Sequence, residues 1–326
     1  MIISQTPLRI SFFGGGSDYP TWYKNQKNYG EVISCTIDKY IYISLKETEH
    51  FSKYKYLLKY SKTEKVNNLK DIKHKVIKKA IKHFDLRKNL EIHSNSDIPA
   101  KAGMGTSSAF TVGLIKAIYA YKNKRISSKG IAKLSTFFEH NLLKEAVGSQ
   151  DQYAASYGGF NSFKFFDNKV HIKKYDIINN YFKKLNNNLF LVFTGQTNLS
   201  RKIVTKYTPL LNSKKKMVIS KILEHVNQAK KLIANNELDS FGYLLDETWE
   251  QKKKIYKSIS NSIIDNKYKL GKKNGAIGGK LLGAGGRGFI LFYVPQEKHE
   301  IFINNFDKKS ILPFKFSNNS SKIILK

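Results

Sequence analysis

Cysteine is nearly absent from this sequence. Cys35 stands alone among 326 residues, so neither a disulfide framework nor a cysteine-based zinc site can form within one chain. That usage fits a reducing compartment. Long apolar runs are missing too. The uninterrupted stretch Phe289–Val294 is far shorter than the roughly 20 residues a membrane helix needs, and the opening MIISQTPLRISFF lacks a basic region, an apolar stretch and a small-residue cleavage site in succession. The expectation is a cytoplasmic protein with no membrane partner. Acidic residues are also scarce, 25 Asp+Glu against 57 Lys+Arg, for a formal charge of +32. A nucleic-acid binder would gather such charge into one footprint. Here the lysines fall in short scattered clusters (Lys78–Lys79, Lys183–Lys184, Lys214–Lys216, Lys252–Lys254), and Lys, Asn, Ile and Tyr are all abundant, as an AT-rich genome would produce. No zinc-finger spacing or RNP-like aromatic signature accompanies them. The charge is read as compositional, no nucleic-acid partner is expected, and at most the basic surface steers anionic metabolites inward.

What is present is enough for a core: 41% hydrophobic and 13% aromatic residues, in a chain long enough for one large domain or two ordinary ones. Strands are expected at Ile10–Phe13, along the ribbon Glu31–Leu45, and at Leu90–His93, all rich in β-branched and aromatic residues. Apolar residues at helical spacing (Phe110, Leu114, Ile115, Ile118) predict a helix over Ser107–Lys122. A second helix is predicted from a cap at Ser127 or Ser128 to about Val147, with Gly148 ending it. Strands at Asn161–Phe166, Lys169–Lys174 and Leu189–Thr194 follow. Then come amphipathic helices over about Ser213–Asn235 and Leu238–Ser258, a third helix ending near Gly275, and a last strand, Phe289–Val294. The irregular alternation, with a seam near residues 175–188 and no internal repeat, predicts an α+β chain in two lobes, 1–175 and 176–326.

Three glycine loops punctuate this pattern. In PLRISFFGGGSD (Pro7–Asp18) a strand runs into Gly14, Gly15 and Gly16, then Ser17 and Asp18. Alone it reads as a tight turn, although glycine also admits close approach of backbone to a ligand. In IPAKAGMGTSSAF (Ile98–Phe110) a loop feeds a helix N-terminus, where unpaired N–H groups and the positive dipole end favour phosphate. Lys101, Gly103, Gly105, Thr106, Ser107 and Ser108 converge there, without the Gly-Lys-Ser/Thr triplet of a Walker loop. In GGKLLGAGGRGF (Gly278–Phe289) the run GAGGRG matches the dinucleotide fingerprint, but a helix precedes it and a strand follows, the reverse of what that fingerprint needs. Tight packing against another backbone or a ligand is the better reading.

Together, in this order and spacing, the loops resemble the three motifs of the GHMP kinases, over nearly the whole chain from Pro7 to Val294. Ala100–Lys101–Ala102 and Met104 are variants within the second motif. The opening PLRISFFGGGSDYPTWY and the stretch from Trp249 to Tyr293 are similar to the branch containing D-glycero-D-manno-heptose 7-phosphate kinases, a pattern fucokinase-type domains share; Arg287 departs from that branch's usual glycine.

The resemblance implies a GHMP kinase fold, with an N-terminal α/β lobe, a ferredoxin-like C-terminal lobe and a site between them. It implies ATP and Mg2+, and a sugar-phosphate substrate phosphorylated at the anomeric hydroxyl to a 1,7-bisphosphate for surface-glycan heptose. A fucokinase-like or other sugar kinase, or a catalytically silent sugar-sensing protein, are the alternatives; a homodimer is compatible with all of them. By the same resemblance Asp151 is the general base and Arg9 its basic partner. Glu139 and Ser108 are the metal ligands, with Glu145 as a substitute, and the second loop holds ATP. Gly14–Asp18 and Gly285, Gly286 and Arg287 face the substrate, and a substrate phosphate would be held by Lys253, Lys101 or Arg287. His140 is assigned no role and is expected on a helix surface.

Overall fold

The computed structural model describes every residue except 25–27, 50, 101, 196–204, 207 and 212. The architecture is α+β, organised around two sheets. Strand β1 (Ile2–Phe13) begins eight residues before the expected position and lies antiparallel to β2 (Gly30–Glu47) along most of its length. The long β2 serves two partners. Its first half pairs with β6 (Phe160–Phe165), and its second half with β5 (Leu90–Ser96). A hairpin of β3 (Tyr56–Lys59) and β4 (Thr63–Val66) extends the β5 side, and β7 (Val170–Tyr175) extends the β6 side. The chain's last strand, β12 (Lys322–Leu325), returns to pair with β1, so both ends of the sequence meet in this sheet.

The register of β1 on β2 shifts between Pro7 and Arg9. A proline cannot donate to the ladder, and a bulge re-aims the residues beside it. Arg9's N–H leaves the ladder and donates to Met104 O, tying the first strand to the second glycine loop.

Helix α1 (Pro20–Tyr23) follows the first glycine loop, and α2 (Lys75–His83) follows the β3–β4 hairpin. Helix α3 (Thr106–Tyr121) is apolar nearly all round and buried, as a helix clamped between a sheet and other helices must be. It approaches β1 closely, with Ser4 Oγ donating to Gly113 O at 2.8 Å. Helix α4 (Ser128–Phe137), capped by Ser127, runs directly into a π-helical turn, Phe138–Leu142. The helix expected to reach Val147 therefore stops five residues sooner, and Lys144 takes a positive φ of 52° in the segment beyond. Helix α5 (Gln150–Tyr157) leads into β6.

After α6 (Asn180–Asn187) the second sheet has the order β11–β8–β10–β9: Ile311–Leu312, Leu189–Phe193, Phe289–Tyr293 and Gly278–Leu281. Strand β10 (FILFY) is buried along its whole length, which is why it reads as an unbroken apolar run. Helices α7 (Lys216–Ala234), α8 (Leu238–Lys253), α9 (Ser262–Lys273) and α10 (His299–Asn304) complete this half; α8 ends earlier than the expected Ser258, a short 3-10 turn occupying Lys257–Ile259. The third glycine loop is thus a connection between two strands, with β9 where the sequence was read as loop. Among the described residues no helix is long and apolar enough to cross a membrane.

Candidate active site

The second and third loops meet backbone to backbone. A Cβ on Gly103 would lie 2.7 Å from Leu282 O, and one on Gly283 would lie 2.5 Å from Gly103 Cα. Both glycines have positive φ, so this contact admits no side chain on either side. Gly105 then caps α3 with a left-handed φ of 74° and no side-chain hydrogen bond. Gly105 brings no side-chain acceptor to the first turn of α3, and that turn holds no acidic residue. Thr106 and Ser108 are buried there and Ser107 is exposed. Lys101 lies outside the described residues.

A Cβ at Gly105 would sit 3.3 Å from Arg9 Cγ and 3.4 Å from Asp151 Cγ, which places the phosphate-type loop directly over an ion pair. Arg9 Nε and Nη2 both reach Asp151 Oδ1 at 2.7 Å, and Nη1 donates to Gly103 O at 2.9 Å. The Arg9 side chain is 5% exposed and that of Asp151 23%, so the acid alone keeps a face toward solvent. All three nitrogens of the Arg9 guanidinium are thereby engaged, by two acceptors.

Asp18, within electrostatic reach of Asp151, is fully enclosed. Its carboxylate accepts from Gly16 N (3.0 Å) and Gln150 N (3.3 Å). Burial pushes its pKa up, the neighbouring Asp151 pushes the same way, and the two N–H donors offset part of this. Gly148, expected to end a helix, has a different role: a Cβ there would fall 1.9 Å from Asp18 Oδ2. In the first loop, Ser17 Oγ bonds Gly14 O and the backbone of Glu31, closing the turn on β2. Gly15 presents its open side toward Ser11 and Gln150, and Gly16 lies against Ile219 of α7.

Glu139 sits on the π-helical turn, a feature that often marks functional positions. It is 1% exposed and no solvated helix acid. One oxygen, Oε2, accepts from Ser108 Oγ at 2.8 Å and Gln152 Nε2 at 2.5 Å; the other, Oε1, is buried without a hydrogen-bond partner. Burial pushes the carboxyl up to about 7, against the lowering effect of Thr111, Ser108 and Gln152. An orphaned carboxylate oxygen beside a serine hydroxyl fits a hard divalent cation that completes its shell with water and phosphate oxygens. Among the described residues no group of three or more His, Cys, Asp or Glu gathers at one point, so such a cation would lean on its nucleotide.

The remaining expected residues are placed as follows. Gly285 and Gly286 pack on Ile259, with Gly286 N donating to Ile259 O at 2.8 Å, and Arg287 is buried in the same loop. Lys253 pairs with Glu250 on its own helix. His140, expected on a helix surface, is half-buried on the π-helical turn and bonds Val147 O. Two lysines that the sequence reading passed over stand inside the site instead. Lys252 donates to Leu281 O and Gly283 O, and Lys280 is 3% exposed with its ammonium on Phe12 O. The strand position of Lys280 between GG and LL was the signal that could have marked it as inward-facing.

Residues 72–159 match the family model described as the GHMP kinases N terminal domain. The chain is 30% identical over 315 residues to the D-glycero-alpha-D-manno-heptose 7-phosphate kinase of Campylobacter jejuni, covering 92% of this chain and 91% of that one. It is 24% identical to the bifunctional fucokinase/GDP-fucose pyrophosphorylase of Arabidopsis thaliana, over 88% of this chain but 29% of that protein. In fold it superposes with a TM-score of 0.80 and 23% identity on the crystal structure of a D-glycero-D-manno-heptose 1-phosphate kinase from Bacteriodes thetaiotaomicron, covering 100% of this chain and 99% of that one.

Proposed function

Starting from the premise that this chain belongs to the GHMP kinase family, we propose that it transfers the terminal phosphoryl group of ATP to the anomeric hydroxyl of D-glycero-D-manno-heptose 7-phosphate, giving the 1,7-bisphosphate. The chain is a sugar kinase of that family, and ATP is the family's phosphoryl donor. The heptose phosphate is favoured by likeness to the Campylobacter jejuni enzyme over more than nine-tenths of both chains.

The observation that carries the reading is the convergence of the Gly105-capped α3 N-terminus, the Gly103–Gly283 contact and the Arg9-held Asp151 at one point. Phosphoryl transfer needs positioned phosphates, charge neutralisation and a group to take the hydroxyl proton. In this assignment the N–H groups of Thr106, Ser107 and Ser108, with Gly103 and Gly105 closing around them, cradle the ATP phosphates, Lys101 adding its charge. Ser108 and Glu139 would hold Mg2+, which would supply charge neutralisation at the phosphate oxygens. Asp151 accepts the sugar hydroxyl proton, and Arg9 fixes the carboxylate in place. Asp18 receives sugar hydroxyls, its accepted N–H bonds leaving lone pairs for them, and Gly14–Ser17 with Gly285, Gly286 and Arg287 shape the sugar side.

A coupled ADP-release assay across a sugar panel tests this. Turnover of the heptose 7-phosphate well above fucose, galactose and mevalonate is expected. Good turnover of fucose with none of the heptose phosphate selects the fucokinase-like reading, and a chain that binds sugar yet releases no ADP with any of them refutes the kinase assignment.

A further inference from the structure

Lys252 and Lys280 have no part in the assignment above, yet both lie against the residues that make it. Lys252 occupies the last turn of α8. Its ammonium has three N–H donors and no acceptor; Leu281 O takes one at 2.9 Å, Gly283 O another at 2.5 Å, and the third has no oxygen or nitrogen acceptor among the described residues, the Trp249 ring centre lying 5.9 Å from the ammonium. A contact path leads from there to the chemistry. Gly283 packs on Gly103, Gly103 O accepts from Arg9, and Arg9 grips Asp151. Lys280, on β9, reaches Phe12 O on β1 and so ties the second sheet to the first beside the glycine run. Burial and the charge of Arg9 depress both lysines, Lys252 to about 7 and Lys280 well below its ordinary value, while Asp18 works the other way.

Arg9, Lys252 and Lys280 therefore share a neighbourhood with two carboxylates, Asp18 and Asp151. An anionic ligand arriving there would favour the protonated form of Lys252. The carboxylate that takes the hydroxyl proton stands in the same neighbourhood, so the anion that belongs there is the group in transit, not a phosphate at the far end of a sugar.

We infer that Lys252 is a catalytic residue of this kinase: its free N–H bonds to a non-bridging oxygen of the phosphoryl group passing from ATP to the sugar, and Lys280 is the positioning residue that holds β9, and with it the third loop, at that distance. In the step, the bond from phosphorus to the ADP oxygen breaks, the bond from the sugar oxygen to phosphorus forms, and the hydroxyl proton goes to Asp151. Lys252 keeps its proton and supplies charge that matters most as the oxygens of the departing group gain it. The inference rests on the kinase reading of the same site.

The test compares Lys252→Ala, Lys252→Met and Lys252→Arg with the wild-type chain, on the sugar that the wild type turns over best. Lys252→Ala is expected to lower kcat about 100-fold or more, with the KM for ATP and for sugar moving less than about threefold. Lys252→Met, which keeps the aliphatic stem, should match it with an unchanged thermal melt, and Lys252→Arg should restore most of the rate. The groups facing Lys252 are Arg9 from β1, Asp18 from the first loop and Lys280 from β9; Asp151 is paired with Arg9, and Lys280 in turn acts on His225 of α7. A lysine held near neutrality is charged below its pKa, so wild-type kcat should fall as pH climbs beyond about 7, and the arginine variant should lose that limb. A kcat in both truncated variants within about threefold of wild type overturns the assignment, as does a loss that appears only in KM or in the melt with no rescue by arginine. A wild-type chain with no sugar-dependent ADP release refutes the kinase reading itself and this inference with it.

Discussion

Glu64 and Glu139 are both buried carboxylates, 7% and 1% exposed, and their surroundings are opposite. Glu64 belongs to the β3–β4 hairpin, remote in the sequence from any glycine loop. It accepts from Tyr60 Oη at 2.6 Å, Lys73 N at 2.6 Å and His74 N at 3.0 Å. Burial pushes its pKa up, yet these donors and the nearby His74 together outweigh burial and leave the carboxyl below its ordinary range. Glu139 has donors on one oxygen alone, and burial wins. The first acid is satisfied and joins a loop to a helix start. The second is left short of partners at a cost in stability, which is the arrangement expected where a ligand supplies the missing interactions.

The largest expected departure between the two regions is catalytic. Asp151→Asn keeps the shape of the site but removes the proton acceptor, and turnover should drop roughly 10²–10⁴-fold, with ATP affinity measured by titration nearly intact. Unchanged turnover would put the base elsewhere. Glu139→Gln comes next. Sugar-dependent ADP release should fall on the order of 100-fold at fixed magnesium, while the folded chain becomes more stable at pH 8. The sign follows from linkage: a carboxyl raised on folding from 4.5 to about 7 stabilises fully below the lower value and withdraws on the order of 3 kcal/mol as pH rises through the higher one. Thermal melts of the two chains should therefore coincide below about pH 4.5, diverge progressively up to about pH 7 and stay apart above it; a variant that melts below wild type at pH 8 would mean that Glu139 is as well satisfied as Glu64.

Gly148→Ala drives a methyl group into Asp18 Oδ2 and should raise the sugar KM about tenfold with a smaller change in the KM for ATP. Equal effects on both would detach Asp18 from the sugar side. The smallest catalytic effect belongs to Glu64→Gln. It exchanges a charged acceptor of two backbone N–H groups for a neutral one and should lower unfolding free energy by about 2 kcal/mol in denaturant titration, leaving kcat per folded molecule within about twofold. A large kcat loss there would erase the distinction between the two acids.

Much of this site is visible in the sequence because glycine, serine and acid positions carry backbone and ligand chemistry that few alternatives satisfy. The stretch AGMGTSS before an apolar-periodic helix marks the start of α3 directly, and LFLVF and FILFY read as buried strands because both faces are covered. Elements of four residues, β3, β4, β9 and β12, are too short to show a period and are held by their neighbours. The π-helical turn under Glu139 has no residue signature; side-chain packing sets it, and the sequence reading extended α4 through it to Val147. Lys252 and Lys280 were hidden for a different reason. In a chain with 57 basic residues a lysine is ordinary, and only the fold shows that these two turn inward while their neighbour Lys253 pairs on the surface of α8 with Glu250.

The central claim is that the loops around Gly14, Gly105 and Gly285 enclose the charged end of ATP with Asp151 facing its terminal group. A crystal structure of the chain with a non-hydrolysable ATP analogue, Mg2+ and the heptose phosphate tests it most directly. The account predicts phosphate oxygens on the N–H groups of Ser107 and Ser108, the metal on Ser108 and Glu139, and the sugar hydroxyl between Asp151 and the terminal phosphorus. Triphosphate bound away from the α3 N-terminus, or a sugar whose reacting hydroxyl does not reach Asp151, would contradict it.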